Sequence, residues 1–252
     1  MTSYPRYVTR DFKYYDPLEL ARKTEAIVCK GNKRKYTKFY CVGVYGGIST
    51  GYTVGCNLRC AFCWVDWSRD FPEKMGEYCS PRQVFDRLVK NAKKSMVSKL
   101  RISGGEPTLC KTHLLELLDL IDMTDYHFIL ETNGILFGTD KGHVHSLRKY
   151  RNVHIRLCIK AGTKEGFEQR TGSKGEFWEL PYQGIKHLME AEVSFHVACM
   201  NDPKLMPKEE RQSMLRSLRK IGYHNYLEEE ICDPYKTSVA RMEHAGFDIF
   251  EK

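Results

Sequence analysis

Cys56, Cys60 and Cys63 stand in the run Gly55-Cys56-Asn57-Leu58-Arg59-Cys60-Ala61-Phe62-Cys63-Trp64, a C-x3-C-x2-C group of three thiols and not four. Thiolates this closely spaced are the usual ligands of iron–sulfur clusters, and a four-iron cubane held by three cysteines leaves one iron open for chemistry. A structural zinc wants four ligands in paired short knuckles; no second knuckle and no H-x3-H follows at a plausible distance. The triad therefore predicts a [4Fe–4S] cluster with Cys56, Cys60 and Cys63 as metal ligands and one iron left for a substrate.

Two further motifs follow in order, Ser103-Gly104-Gly105-Glu106-Pro107-Thr108 and Glu131-Thr132-Asn133-Gly134. Glycine at 104 and 105 lets backbone approach a ligand closely, and Glu106 can accept a charge-assisted hydrogen bond from an ammonium group. With the triad, these motifs make the chain resemble the radical S-adenosylmethionine (SAM) superfamily, most of all the glycyl-radical (pyruvate formate-lyase) activating-enzyme group. The resemblance covers about residues 50 to 225. It implies that SAM chelates the open iron through its amino and carboxylate groups. It implies too that Phe62 is the aromatic residue before the third cysteine, and that Ser103, Gly104, Gly105, Glu106 and Pro107 end the second strand against the methionyl amino group. Glu131 and Asn133 match the segment that ends the third strand, and Lys160 matches the lysine of a D-x-K element. Cys158 departs from that pattern, standing where the group has an aspartate that helps hold a cation. Arg170-Thr171-Gly172 resembles a polar loop after the fourth strand and reads equally well as a solvated turn.

The elements that must position these residues are legible as strands alternating with helices. A strand near Tyr52-Thr53-Val54 leads into the triad, and Ser80-Pro81-Arg82-Gln83 carries a capping box that starts a helix with Val84, Phe85, Leu88, Val89 and Ala92 on its core face. Lys99 to Ser103, Phe128 to Leu130, Val153 to Lys160, Phe195 to Met200 and Tyr226 to Glu228 supply the second to sixth strands, separated by helical segments. Such alternation implies right-handed crossovers and a parallel sheet; the family's fold is α/β, a partial (β/α)6 TIM-like barrel with outer helices. On the fourth strand Val153, Ile155, Leu157 and Ile159 alternate with His154, Arg156, Cys158 and Lys160. The aliphatic set should pack outward on the helices and the polar set should line the lumen. The same parity places His196 with Ala198 and Met200, making it a further candidate for the SAM site.

At 252 residues one core suffices. The net charge of +8 is concentrated at the start, where the first forty residues hold ten Lys and Arg against four Asp and Glu. Residues 1–45 thus read as a basic extension, 46–230 as the barrel and 231–252 as a C-terminal extension packed on it. The stretch Lys30 to Tyr40 interleaves cations with aromatics as single-strand nucleic-acid surfaces do, or as a solvated extension would. The other cysteines, Cys29, Cys41, Cys79, Cys110, Cys158, Cys199 and Cys232, are scattered and read as buried hydrophobes. With no apolar h-region at Met1-Thr2-Ser3 and no eighteen-residue apolar run, the expectation is a cytoplasmic protein with no membrane partner.

The resemblance implies an oxygen-sensitive oxidoreductase. Reduction of the cluster by one electron, from a donor such as flavodoxin or ferredoxin, cleaves SAM to methionine and a 5′-deoxyadenosyl radical that takes hydrogen from a substrate. A protein substrate or glycyl-radical-type partner leads. A tRNA or nucleobase substrate is the alternative, favoured by the basic stretch and by Cys63-Trp64, a pair also found in wyosine-forming tRNA enzymes; small molecules come next. An electron-transfer protein without SAM chemistry is the least favoured reading, since it leaves Ser103 to Pro107 idle.

Overall fold

The computed structural model describes residues 4–250. The Met1-Thr2-Ser3 start, and residues 251–252 of the C-terminal extension, lie outside them. Nine strands form one sheet: β1 (Cys29–Lys30), β2 (Lys33–Val42), β3 (Ile48–Thr53), β4 (Glu77–Cys79), β5 (Lys99–Gly104), β6 (His127–Thr132), β7 (Val153–Ile159), β8 (Phe195–Met200) and β9 (Leu227–Glu230). Their helices are α1 (Pro17–Val28), α2 (Pro81–Ser95), α3 (Lys111–Asp122), α4 (Ile135–Thr139), α5 (Lys141–Ser146), α6 (Lys164–Thr171), α7 (Leu180–Glu190), α8 (Lys208–Lys220) and α9 (Lys236–Ala245).

The six strands β3-β5-β6-β7-β8-β9 are parallel and sequential. Among the described residues β9 pairs with β8 alone, so the barrel is not closed. At the other side, β2 runs antiparallel to β3 and carries β1 and β4. The expected capping box is present: the Ser80 side chain accepts from Gln83 N, and Gln83 returns a bond to the Ser80 backbone.

The parity read from the fourth strand holds. Val153, Ile155, Leu157 and Ile159 join Leu88, Leu117, Leu118, Ile185, Met214 and Leu218 of the helices in the main core. Arg156 instead reaches across β8 to Glu228 and Glu230 of β9, away from the aliphatic set.

Three expectations need correcting. Residues 33–42 do not lie on the barrel as an extension but are hydrogen-bonded into the sheet as β2. Arg34 and Lys35 are buried, Arg34 donating to the carbonyls of Val54, Glu106 and Leu109 and Lys35 to that of Pro72. Those two cations therefore do not face solvent phosphates. Cys29 and Cys110 are not separate buried thiols but a disulfide with Cα atoms 5.9 Å apart, tying the end of α1 to the start of α3.

Candidate active site

The triad loop follows β3, the Gly-Gly-Glu turn ends β5 and Asn133 ends β6. All stand at the carboxyl ends of parallel strands, where such barrels build their sites. Backbone bonds knit the first two together: Gly105 N donates to Thr53 O at 2.9 Å, and Glu106 N donates to Gly55 O at 2.8 Å. A Cβ on Gly105 would stand 1.9 Å from Gly55 O, and Gly104 has φ +92°, so both positions need glycine for different reasons.

Glu106 sits behind this junction, 2 % exposed. One carboxylate oxygen accepts from Thr108 N, Thr108 Oγ1 and Thr132 Oγ1; the other accepts from Asn133 N at 2.9 Å. Three of these donors share one oxygen and one meets the other, so the carboxylate is largely engaged by the protein, with acceptor capacity left on the Asn133 side. What the carboxylate does here is bind the β5 turn to the β6 turn. Asn133 in turn donates to Asn57 Oδ1 at 2.8 Å and lies 3.8 Å from Cys56 Sγ. Pro107 is buried beside Glu106.

The triad loop is also held from outside. Arg59 N donates to Thr171 O and Ala61 N to Arg170 O, so the Arg170-Thr171-Gly172 segment is the last turn of α6 and its cap, pinned to the loop, rather than a solvated turn. Phe62 is buried with Leu58, Ala61, Met200, Cys232, Met242 and Ile249, which seats the C-terminal segment on the loop.

These residues fit an iron–sulfur cluster. Among the described residues, the one set of three ligand atoms within 4.8 Å of one another is that of Glu25, Cys29 and Cys110. Burial pushes the thiols of Cys56 and Cys60 up to about 11 and about 12, the carboxylate of Glu106 adding to the effect on Cys56. Thiols so desolvated are poor thiolates until a cation binds them. Asn57 Nδ2 and Arg59 Nη2 are buried on the loop without an acceptor, and cluster sulfur is an acceptor of that kind. Those two residues lie inside the motif itself, yet only the structure singles them out.

The lumen below is lined by a charged ladder. Glu131 accepts from Ser103 Oγ at 2.6 Å, Arg101 at 2.9 Å and Tyr45 OH at 3.0 Å. Burial alone would raise the Glu131 carboxyl, but Arg101 and Arg156 outweigh it and hold it below the usual range. Arg156 bridges Glu228 at 2.9 Å and Glu230 at 2.6 Å. His196 is bonded to Glu228 at 2.8 Å and to His154 at 2.7 Å, so it belongs to this ladder. Lys160, at the end of β7, is half-buried; desolvation would lower its pKa, but the charges of Cys158, Cys60 and Glu230 raise it. Ser103, Glu131 and His196 are thereby brought together in the lumen, while Glu106 and Asn133 stand with Cys56 at its rim.

Replacing Arg156 by Gln is expected to destabilise the fold by about 2–3 kcal/mol, below the cost for a fully buried pair because Glu230 is partly exposed. Desolvation would raise the Glu228 carboxyl, but hydrogen bonds from Arg156 and His196 hold it below its ordinary value. Its stabilising contribution is therefore present above about pH 4.3 and lost as pH falls through the lower folded value. The variant forfeits part of it. Urea denaturation at pH 7 should show the lower stability, and an acid titration followed by circular dichroism should show unfolding begin at higher pH.

The fold is thus an open parallel α/β barrel with a three-cysteine loop at its carboxyl end. Residues 51–221 match the family model of the Radical SAM superfamily, and the chain belongs to that superfamily. Over 121 residues it is 27 % identical to a probable GTP 3′,8-cyclase of Thermoplasma volcanium, covering 46 % of this chain and 33 % of the cyclase. It is 30 % identical over 120 residues to a putative glycyl-radical enzyme activating enzyme of Methanocaldococcus jannaschii, covering 44 % of each. The chain thus matches less than half the length of these relatives. In fold it is similar to Streptococcus suis SuiB bound to the precursor peptide SuiA, with TM-score 0.57 and 16 % identity over 86 % of this chain and 44 % of that one. Among the described residues no helix is long and apolar enough to cross a membrane.

Proposed function

We propose that Cys56, Cys60 and Cys63 hold a [4Fe–4S] cluster, that SAM is bound at its open iron, and that the chain directs hydrogen abstraction from a protein substrate. When bound, the cluster supplies one electron for reductive cleavage of SAM. The chain's own residues supply the frame. The Gly104-Gly105 backbone, fixed on Gly55 and braced by Glu106, presents a Cβ-free approach beside the triad; Phe62 and the C-terminal segment keep water from the loop; and the ladder from Arg101 to Glu230 orients what enters the lumen. Family membership supports the chemistry. The observation that carries the protein reading over a nucleotide is the pairing of the lumen arginines: Arg101 is ion-paired to Glu131 and Arg156 to Glu228 and Glu230, which leaves Lys160 as the cation at the site for a phosphate to meet. A triphosphate or an RNA strand needs cations that are free to pair with it. The activating-enzyme relative supports this choice, while the GTP 3′,8-cyclase relative supports a nucleotide.

One observation favours a second reading. Tyr40 and Tyr52 stack with centroids 4.8 Å apart, Tyr52 meets Trp64 edge-on at 6.0 Å, and Trp64 lies 6.5 Å from Tyr235. Trp64 directly follows Cys63 and, like Tyr40 and Tyr235, is exposed. Such a run of rings also suits a planar heterocycle without phosphates. The two readings separate on anaerobic incubation of the reconstituted protein with SAM, dithionite and deuterated candidates: a glycyl-radical-type protein in one series, purine nucleosides and bases in another. Deuterium in 5′-deoxyadenosine from the protein series is the expected result. Transfer from the nucleoside series alone would reverse the order, and no 5′-deoxyadenosine in either would remove the SAM reading itself.

A further inference from the structure

The three triad cysteines share a feature that the family motifs do not describe: each offers its backbone carbonyl to a different guanidinium. Arg59 Nη1 donates to Cys56 O at 2.7 Å, Arg69 Nη1 donates to Cys60 O at 2.6 Å, and Arg241 Nη1 donates to Cys63 O at 2.6 Å. All three side chains are at most 1 % exposed. Arg241 comes from α9, 178 residues away from Cys63, and also donates to the carbonyls of Val65 and Asp66. The carboxylate within this group is Asp70, which pairs with both Arg69 and Arg241. Among the described residues Arg59 has no carboxylate partner: its other donors go to the carbonyls of Pro5 and Leu58, and its Nη2 has none. Three guanidiniums against one carboxylate leave a surplus of two positive charges, since arginine does not deprotonate in proteins.

Carbonyl bonds alone would have been made by neutral donors at far lower cost than burying three cations. A partner of negative charge accounts for the expense. A [4Fe–4S] core of charge two-plus on three thiolates carries one net negative charge, and the electron that reduces it adds a second. We propose that Arg59, Arg69 and Arg241 form a cationic cradle that positions the three ligating residues and raises the reduction potential of the cluster they hold, with Asp70 as its counterweight. The C-terminal helix α9 is then part of the redox centre, through Arg241 as a positioning residue. This rests on the cluster reading above.

The step concerned is the addition of one electron from a mediator to the oxidised cluster, with no proton or bond change. Removing one nearby positive charge favours the oxidised form; removing Asp70 favours the reduced form. The test is an EPR-monitored redox titration of the reconstituted full chain, with iron content and circular dichroism measured on each variant. In Arg241→Gln the reduced-to-oxidised ratio at a fixed applied potential should fall at least about tenfold, equivalent to about 59 mV for one electron. Arg241→Lys keeps the charge and should stay near wild type, although it loses part of the hydrogen-bond fork. Asp70→Asn should shift the ratio the other way. A purely structural clamp predicts something different, namely equal loss of cluster in the Gln and Lys variants with the potential of the remaining cluster unchanged, and that result overturns the proposal. If Arg241→Gln does not fold, Arg59→Gln against Arg59→Lys and the sign of the Asp70→Asn shift decide; an unchanged potential in Asp70→Asn also overturns it. Failure of the wild type to assemble any EPR-active cluster would instead count against the triad as ligands.

Discussion

Each of Cys56→Ala, Cys60→Ala and Cys63→Ala is expected to reduce 5′-deoxyadenosine formation to background while leaving the fold in place. Two thiolates do not retain a cubane against exchange with solvent, and the iron that must stay open for SAM is defined only when the other three are held. The fold tolerates the change because the loop is fixed mainly through its backbone, by Arg59, Arg69 and Arg241 and by the carbonyls of Arg170 and Thr171, with only weak contacts to the Cys56 thiol from Leu58 N and Asn133. Iron and sulfide analysis after anaerobic reconstitution, SAM cleavage under dithionite and thermal melts of the apoproteins check the three parts of this expectation. Normal 5′-deoxyadenosine production by any one variant would falsify the assignment of that cysteine.

Gly105→Ala should come close to the same loss by a different route. Its Cβ would meet Gly55 O at 1.9 Å and Gly55 C at 2.8 Å, both backbone atoms that cannot rotate aside. The bond from Glu106 N to Gly55 O must then open, and the β5 turn moves off the triad loop. An overpacked junction of this kind costs about 1–3 kcal/mol in stability, and SAM affinity should fall by more than about tenfold. Gly43→Ala is the matched control. That residue has φ −75° and nothing within 4 Å of a built Cβ, so its stability and SAM affinity should stay at wild-type values. Equilibrium dialysis with labelled SAM and urea titrations distinguish the pair; equal behaviour of the two variants would remove the close approach at Gly105 from the account of the site.

What could be read from the chain was what lies close together in it. The triad, the Gly-Gly-Glu turn and the Thr-Asn-Gly turn each carry their geometry within a few residues. The strands carry theirs in alternation, which is why Val153 to Ile159 placed its aliphatic face correctly. The part that stayed hidden depends on partners far away in sequence. Arg34 and Lys35 looked solvated because nothing local announces the carbonyls of Val54, Pro72, Glu106 and Leu109 that bury them. Cys29 and Cys110 looked solitary because 81 residues separate them. Glu106 looked free of protein partners because Thr132 and Asn133, which donate to it, stand at the end of another strand. Arg241 had no signal at all: one arginine in an ordinary helix, given meaning only by where α9 lands.

The unclosed barrel leaves β9 with a row of backbone donors and acceptors that no strand of the described chain takes up. An edge of this kind is a template for sheet growth between molecules. Its sequence, Leu227-Glu228-Glu229-Glu230, places three adjacent carboxylates there, two of them drawn inward by Arg156 and the third held by Arg211. Two copies meeting edge to edge would bring six glutamates together across one strand spacing, with only Arg156 and Arg211 on each side to offset them. The same glutamates that order the lumen therefore also disfavour sheet growth at the open edge of the barrel.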